Sequence, residues 1–146
     1  MSAEPWAPEI AHVIQLAVAP VFLLSGVGVI ITVLTNRLGR IVDRARALEQ
    51  ELRHADVNLE KDLDERLRVL ARRSRMVNLA LTLATTCALL VCLVIVALFV
   101  GGLFRFDLSS VIGVLFVTAM LAFIGALLSF LREIFLATSS VRIGRG

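Results

Sequence analysis

Apolar residues in this chain gather in three long blocks, and charged residues gather in one stretch between the first two. The first block covers residues 10–35, and 16–34 hold no charge. The second covers 77–104 and is uncharged throughout. The third covers 109–137 and carries charge only at Arg132 and Glu133, toward its end. Crossing a hydrocarbon core of about 30 Å takes about 20 helical residues, so each block is long enough to span a bilayer. Lipid offers no partner for backbone N–H and C=O groups, so each span is expected to be a helix. A barrel would need a series of alternating segments of about ten residues, and there is none.

The polar stretch, 36–76, has a pattern of its own. Leu38, Ile41, Ala45, Leu48 and Leu52 recur at alternating intervals of three and four, which is a helical stripe. The first span is therefore expected to continue as a helix beyond the membrane, and residues 36–53 would project roughly 27 Å. A break is expected at 54–58, where Asp56 and Asn58 are natural turn or cap residues. Leu59, Leu63, Leu67 and Leu70 then mark a return helix that enters the second span without a breaker. The outer faces offer pairs in the favourable order at Glu49/Arg53, Asp62/Arg66, Asp64/Arg68 and Asp43/Arg46. The fold expected is all-α and integral to a membrane, with three transmembrane helices and a cytoplasmic helical hairpin that extends the first and second spans.

Composition sharpens this picture. The chain is 58% hydrophobic, above the usual half of a soluble domain. Eleven of the 15 Lys and Arg and eight of the 12 Asp and Glu fall within residues 37–75, so the net charge of +3 describes that stretch. Its basic residues alternate with acids and abut apolar spans. The expected anionic neighbour is therefore inner-leaflet lipid, not nucleic acid. The N-terminal tail has no Lys or Arg, and the second connection has only Arg105, balanced by Asp107. Arg142 and Arg145 follow the third span. The positive-inside rule then gives an external tail 1–9, an internal hairpin 36–76, a short external loop 105–108 and a cytoplasmic tail 138–146. Trp6 fits the outer aromatic belt. Glu4 and Glu9, with no basic residue beside them, do not make a cleavable signal, and the first span is read as permanent.

Polar residues within the spans are the candidates for function. Ser25, Thr32 and Asn36 share an arc of about 40° on the first span. Asn78, Thr82, Thr85 and Cys92 share a face of the second, and Thr118, Gly125, Ser129 and Arg132 a face of the third. Such rows mark helix contacts or line a hydrated path in an oligomer. Ala80, Ala84 and Ala88 add a small-residue row. Pro20, which removes a helical hydrogen bond, with Gly26 and Gly28 marks a packing bend or a hinge. Arg37, Arg40, Arg72, Arg73 and Arg75 sit at headgroup depth, as lipid anchors or as a gate. Arg132 and Glu133 are the ion-pair candidates. Adjacent helical residues diverge, so Glu133 is expected to pair with an Arg of another helix, among Arg37, Arg40 and Arg73. Cys87 and Cys92 point roughly 140° apart on a helix and are expected to be packing residues.

The runs 15–25 and 36–46, which contain Gln15-Leu16-Ala17 and Asn36-Arg37-Leu38-Gly39-Arg40, resemble a family of small bacterial membrane proteins catalogued as domain of unknown function 2721. Leu70-Ala71-Arg72-Arg73 and Phe130-Leu131-Arg132-Glu133-Ile134 resemble its later segments, so the likeness covers about residues 10–140. It implies a bacterial cytoplasmic membrane and supplies no activity and no catalytic residues.

The sequence has no P-loop, GxGxxG, HExxH or CxxC, and it points to no enzyme, metal or cofactor. His12 and His54 would lie on opposite sides of the membrane. The middle of the bilayer holds no ionisable residue, which argues against ion-coupled transport. Three spans are too few for a repeat-built transporter. The function expected is a homo-oligomeric, channel-like assembly. The alternative is an accessory subunit or scaffold docking a protein partner through Leu48, Leu52, Leu63 and Leu67 of the hairpin.

Overall fold

Long apolar runs without a helix breaker, continued by stripes at helical spacing, leave the chain few places to turn. A computed structural model describes residues 7–143. Three helices account for nearly all of them: α1 (Ala7–Leu52), α2 (Val57–Phe104) and α3 (Ser109–Ile143). All three are long and apolar enough to cross a membrane. The chain is therefore a multi-pass membrane protein. At 46 and 48 residues, α1 and α2 are each about twice the length a bilayer core requires. Their surplus forms the hairpin, so the polar stretch prolongs the spans as helix. Trp6 and Arg145 lie outside the described residues.

The turns follow local chemistry. Between α1 and α2, the His54 amide donates to the Glu51 carbonyl at 3.1 Å and the Ala55 amide to Leu52 at 3.4 Å. The Glu60 amide donates to the Asp56 carbonyl at 2.9 Å, which makes Asp56 the cap residue of α2. Between α2 and α3, Arg105 adopts φ 57°, the left-handed conformation in which helices commonly end. The first helical bond of α3 runs from the Ile112 amide to the Leu108 carbonyl at 2.9 Å, and just ahead of it stands Asp107. Its Oδ1 accepts from the Ser109 hydroxyl at 2.6 Å and the Ser109 amide at 3.2 Å. These two bonds, the hydroxyl first, hold its carboxyl below the usual aspartate range. Arg105 leans instead on Glu9, at 3.8 Å.

The core repeats every seven residues, the interval that keeps one helical face turned to a neighbour. Pro20, Val27, Leu34 and Ile41 are buried on α1. Leu63, Leu70, Val77, Ala84 and Val91 form one buried line on α2, and Ala80, Cys87 and Val94 a second. Ala119, Ala126 and Glu133 form the line on α3.

The chain divides into two compact units, each built from a piece of every helix. The first comprises residues 1–31 and 83–124. Its core is Ala17, Val27, Ala84, Cys87, Val91, Val94 and Ala119. Gly102 allows a close approach there, because a Cβ at that position would sit 2.6 Å from Val13 Cγ2. The second unit comprises 32–82 and 125–146, with a core of Leu34, Ile41, Leu63, Leu70, Val77, Ala80, Ala126 and Glu133.

One expectation about the hairpin holds in part and one needs correction. Its leucine stripes are covered in part by packing of the two helices against each other. Ile41, Leu63 and Leu70 are buried and Leu38, Ala45, Leu48, Leu52 and Leu67 half-buried, so the stripes cover one another; Leu59 alone stays exposed. Of the four surface ion pairs, only Asp62–Arg66 closes, at 3.4 Å, among the described residues. Exposed pairs gain little over hydration and cost side-chain entropy.

Candidate functional site

Glu133 follows Ala126 by seven residues and so falls on the buried line of α3, where its side chain is fully enclosed. An enclosed carboxylate is tolerated only with charged, hydrogen-bonded partners. Two arginines supply them, one from each other helix. Arg37 of α1 donates through Nη1 to Glu133 Oε2. Arg73 of α2 donates through Nη2 to Oε1 at 3.0 Å, and through Nε to the same oxygen at 3.3 Å. Both carboxylate oxygens are thus engaged. The Arg37 guanidinium also lies 5.1 Å from the centroid of the Phe130 ring, within cation–π range. One buried acid therefore joins three helices within the second unit. No buried side-chain N or O among the described residues lacks a partner.

Beside this triad α1 presents Arg37, Arg40 and Arg44, spaced three and four apart on one face. With Arg73, Ile41 and Leu70 they line a cleft of about 210 Å³ that contains no acidic wall residue. Arg40 and Arg44 make no ion pair among the described residues. A neighbouring, larger cleft is lined by both signs of charge, among them Arg44, Asp62, Glu65 and Arg66. The four-arginine cleft can hold an anion, and arginine forks suit a phosphate or carboxylate in particular.

The other expected site residues are placed as follows. Of the ion-pair candidates, Glu133 takes Arg37 and Arg73 and leaves Arg40; Arg132 is exposed and pairs with nothing among the described residues. Adjacent helical positions diverge, which sends Arg132 to the surface. Of the boundary arginines, Arg72 and Arg75 are exposed and lie outside the cleft, while Arg44, expected only as hairpin surface, completes it. The signal for Arg44 was its seven-residue distance from Arg37. Ser25, Thr32, Asn36, Asn78, Thr82, Thr85 and Thr118 are exposed, and Ser129 is half-buried. The polar rows therefore face away from the core, which runs through Ala, Val and Leu. Several of their hydroxyls donate to the carbonyl one turn back on their own helix: Ser25 to Val21, Thr82 to Asn78 and Thr118 to Val114. Ala80 and Ala84 are fully buried, so the small-residue row does mark packing. Pro20 is buried within an unbroken α1, whereas Gly26 and Gly28 are exposed, with open space where a Cβ would stand. Cys87 is buried, Cys92 exposed, and both are free thiols.

No curated protein and no solved structure matches this chain. A family model does, over residues 17–143, which takes in the arginine face of α1, Arg73 and Glu133. The chain belongs to the family described as "protein of unknown function (DUF2721)".

Proposed function

We propose that this protein works as a homo-oligomeric, channel-like assembly in a bacterial cytoplasmic membrane, with its hairpin and C-terminus inside and without a catalytic step of its own. The observation that carries this reading is the row Ser25, Thr32 and Asn36 on α1, all exposed on the chain's own surface. A hydroxyl can close on its own helix; at the inner end of the span, beside Arg37, the Asn36 side-chain amide presents two donors and an acceptor, which the hydrocarbon just ahead of it cannot satisfy. A second copy or a hydrated path can. Three helices per chain are too few to enclose such a path, so several copies are required.

The test is the subunit number of purified protein in nanodiscs by native mass spectrometry, followed by ion flux from reconstituted vesicles. A ring of four or more copies is expected, and Thr32→Trp or Asn36→Leu is expected to reduce flux severalfold or more. A monomer or dimer, or flux indifferent to both substitutions, would refute the reading. An accessory role is the second reading, favoured by Val57 and Leu59, exposed large apolar residues beside the hairpin turn. Of the expected docking residues, Leu63 is buried while Leu48, Leu52 and Leu67 are half-buried and offer a partner less surface. Recovery of a stable hetero-complex lost on Val57→Asp/Leu59→Asp would support that reading over the first.

A further inference from the structure

We infer that the cleft ringed by Arg37, Arg40, Arg44 and Arg73 is a discrete binding site for the phosphate of an anionic phospholipid headgroup. The inference rests on the chain spanning a membrane and is independent of how many copies assemble.

Charge is the first ground. The cleft brings four guanidinium groups together around about 210 Å³. Glu133 is shared by Arg37 and Arg73, so one negative charge offsets two positive ones. Arg40 and Arg44 remain without a carboxylate in contact among the described residues. Asp62 and Glu65 line the neighbouring cleft, but Asp62 is engaged by Arg66 at 3.4 Å. A site with this surplus of forked donors is built for a phosphate.

Depth is the second ground. Arg37 lies three residues beyond the buried Leu34, at the end of the apolar span. Arg44 is seven residues further, roughly 10 Å along the helix. The headgroup layer is roughly 5–8 Å thick on each side of a bilayer, so the arginine face spans that layer and reaches just beyond it. One turn back from Arg37 on the same face stands Val33, an exposed apolar residue. Ile41 and Leu70 complete the cleft lining at the level of the arginines, so the apolar surface on the hydrocarbon side is that of Val33 and the span before it. A ligand that is anionic at one end and hydrocarbon at the other fits this order; a free phosphate would use only the upper part.

Preorganisation is the third ground. Glu133 holds Arg37 and Arg73 from opposite helices, and Phe130 lies against Arg37, so two of the four donors are fixed before a ligand arrives.

The experiment titrates full-length protein in neutral detergent with phosphatidylglycerol, or with phosphatidylcholine of the same chains, and counts retained lipids per chain by native mass spectrometry. Phosphatidylglycerol is expected to saturate at one tightly held copy per chain and phosphatidylcholine to be lost. Each basic residue at a membrane surface contributes roughly fivefold in affinity, so Arg40→Gln/Arg44→Gln is expected to weaken retention about thirtyfold. Both residues are exposed, so the variant is expected to melt with the wild type. Arg40→Lys/Arg44→Lys, which keeps charge and loses the fork, is expected to fall between. Arg72→Gln/Arg75→Gln is expected to change retention by less than about twofold. Equal retention of the two lipids would overturn the selectivity for an anionic headgroup, and an equal loss in Arg72→Gln/Arg75→Gln would overturn the site in favour of diffuse charge. Displacement of the lipid by millimolar inorganic phosphate would overturn the lipid assignment in favour of a soluble phosphate compound.

Discussion

At the scale of single residues, the energy of Glu133 depends on how many of its partners remain. Glu133→Gln leaves Arg37 and Arg73 facing one another without a counter-charge, and removal of one member of a buried ion pair costs about 3–5 kcal/mol. The arginines keep some access to solvent, so the expected loss lies near 3 kcal/mol. Arg73→Met leaves the carboxylate with Arg37 and should cost less, about 1.5–3 kcal/mol. The triple change Glu133→Leu/Arg37→Met/Arg73→Leu removes charge and desolvation together and should melt close to the wild type. Thermal unfolding in detergent orders these variants; a Glu133→Gln variant as stable as the parent would show the triad to be ornamental. Glycines make the second residue-scale contrast. Gly102→Ala places a methyl group 2.6 Å from Val13 Cγ2, which belongs to a stiff, branched side chain. Overpacking of that kind costs about 1–3 kcal/mol. Gly26→Ala and Gly28→Ala meet nothing within 4 Å and should be neutral or gain up to about 1 kcal/mol of helix propensity. If flux falls in those two variants while their stability holds, the glycines serve motion and not packing. That Glu133 needed an arginine from another helix was readable from the sequence, because a membrane-embedded acid demands a partner and its neighbour Arg132 points elsewhere. The choice between Arg37 and Arg40 was not readable, because three residues along one helix separate them and packing decides which faces α3.

Among the elements, the α2–α3 turn carries the sharpest test. Arg105 holds φ 57°, a conformation that costs a residue with a Cβ roughly 1–2 kcal/mol and costs glycine little. Its contact with Glu9, at 3.8 Å between exposed side chains, returns little. Arg105→Gly is therefore expected to stabilise the protein by up to about 1 kcal/mol, and a lower melting temperature would count against this account. Asp107 gives the turn a pH dependence of known sign. The folded state lowers its pKa through the Ser109 hydroxyl and amide. Its contribution is complete above the unfolded value, roughly 4, and disappears as pH falls through the lower folded value. Melting temperatures measured between neutral pH and pH 3 should fall more in the wild type than in Asp107→Asn, which keeps the acceptor and loses the titration. Parallel curves would exclude the bond. Helices and turns were legible because apolar length, breaker-free runs and Asp56 all speak locally. The seam was harder to read. Polar rows drew attention to Ser25, Thr82 and Thr118, yet hydroxyls close on their own helices, and the buried lines are Ala, Val and Leu at sevenfold spacing. In a span where almost every residue is apolar, contrast between faces is weak, and small size marks contact better than polarity does.

For the whole molecule, orientation decides which leaflet the arginine cleft meets. The hairpin segment 37–75 carries eleven basic residues, while the α2–α3 connection carries Arg105 alone. Short loops rich in Lys and Arg stay on the cytoplasmic side, and acidic residues offset this little. The expected topology therefore has the hairpin inside and the α2–α3 turn outside. Cysteine accessibility measures it directly. In a background with Cys87→Ala and Cys92→Ala, a thiol introduced by His54→Cys should resist a membrane-impermeant reagent in intact cells and react after lysis. One introduced by Phe106→Cys, an exposed position in the turn, should react in both. The opposite pattern would place Arg37, Arg40, Arg44 and Arg73 at the outer leaflet. The lipid site would then have to draw its ligand from there, and the charge distribution would have lost its explanation. Labelling of both sites in intact cells would mean dual insertion. A homo-oligomer would then have to combine opposed copies, and the row Ser25, Thr32 and Asn36 would run antiparallel between neighbours.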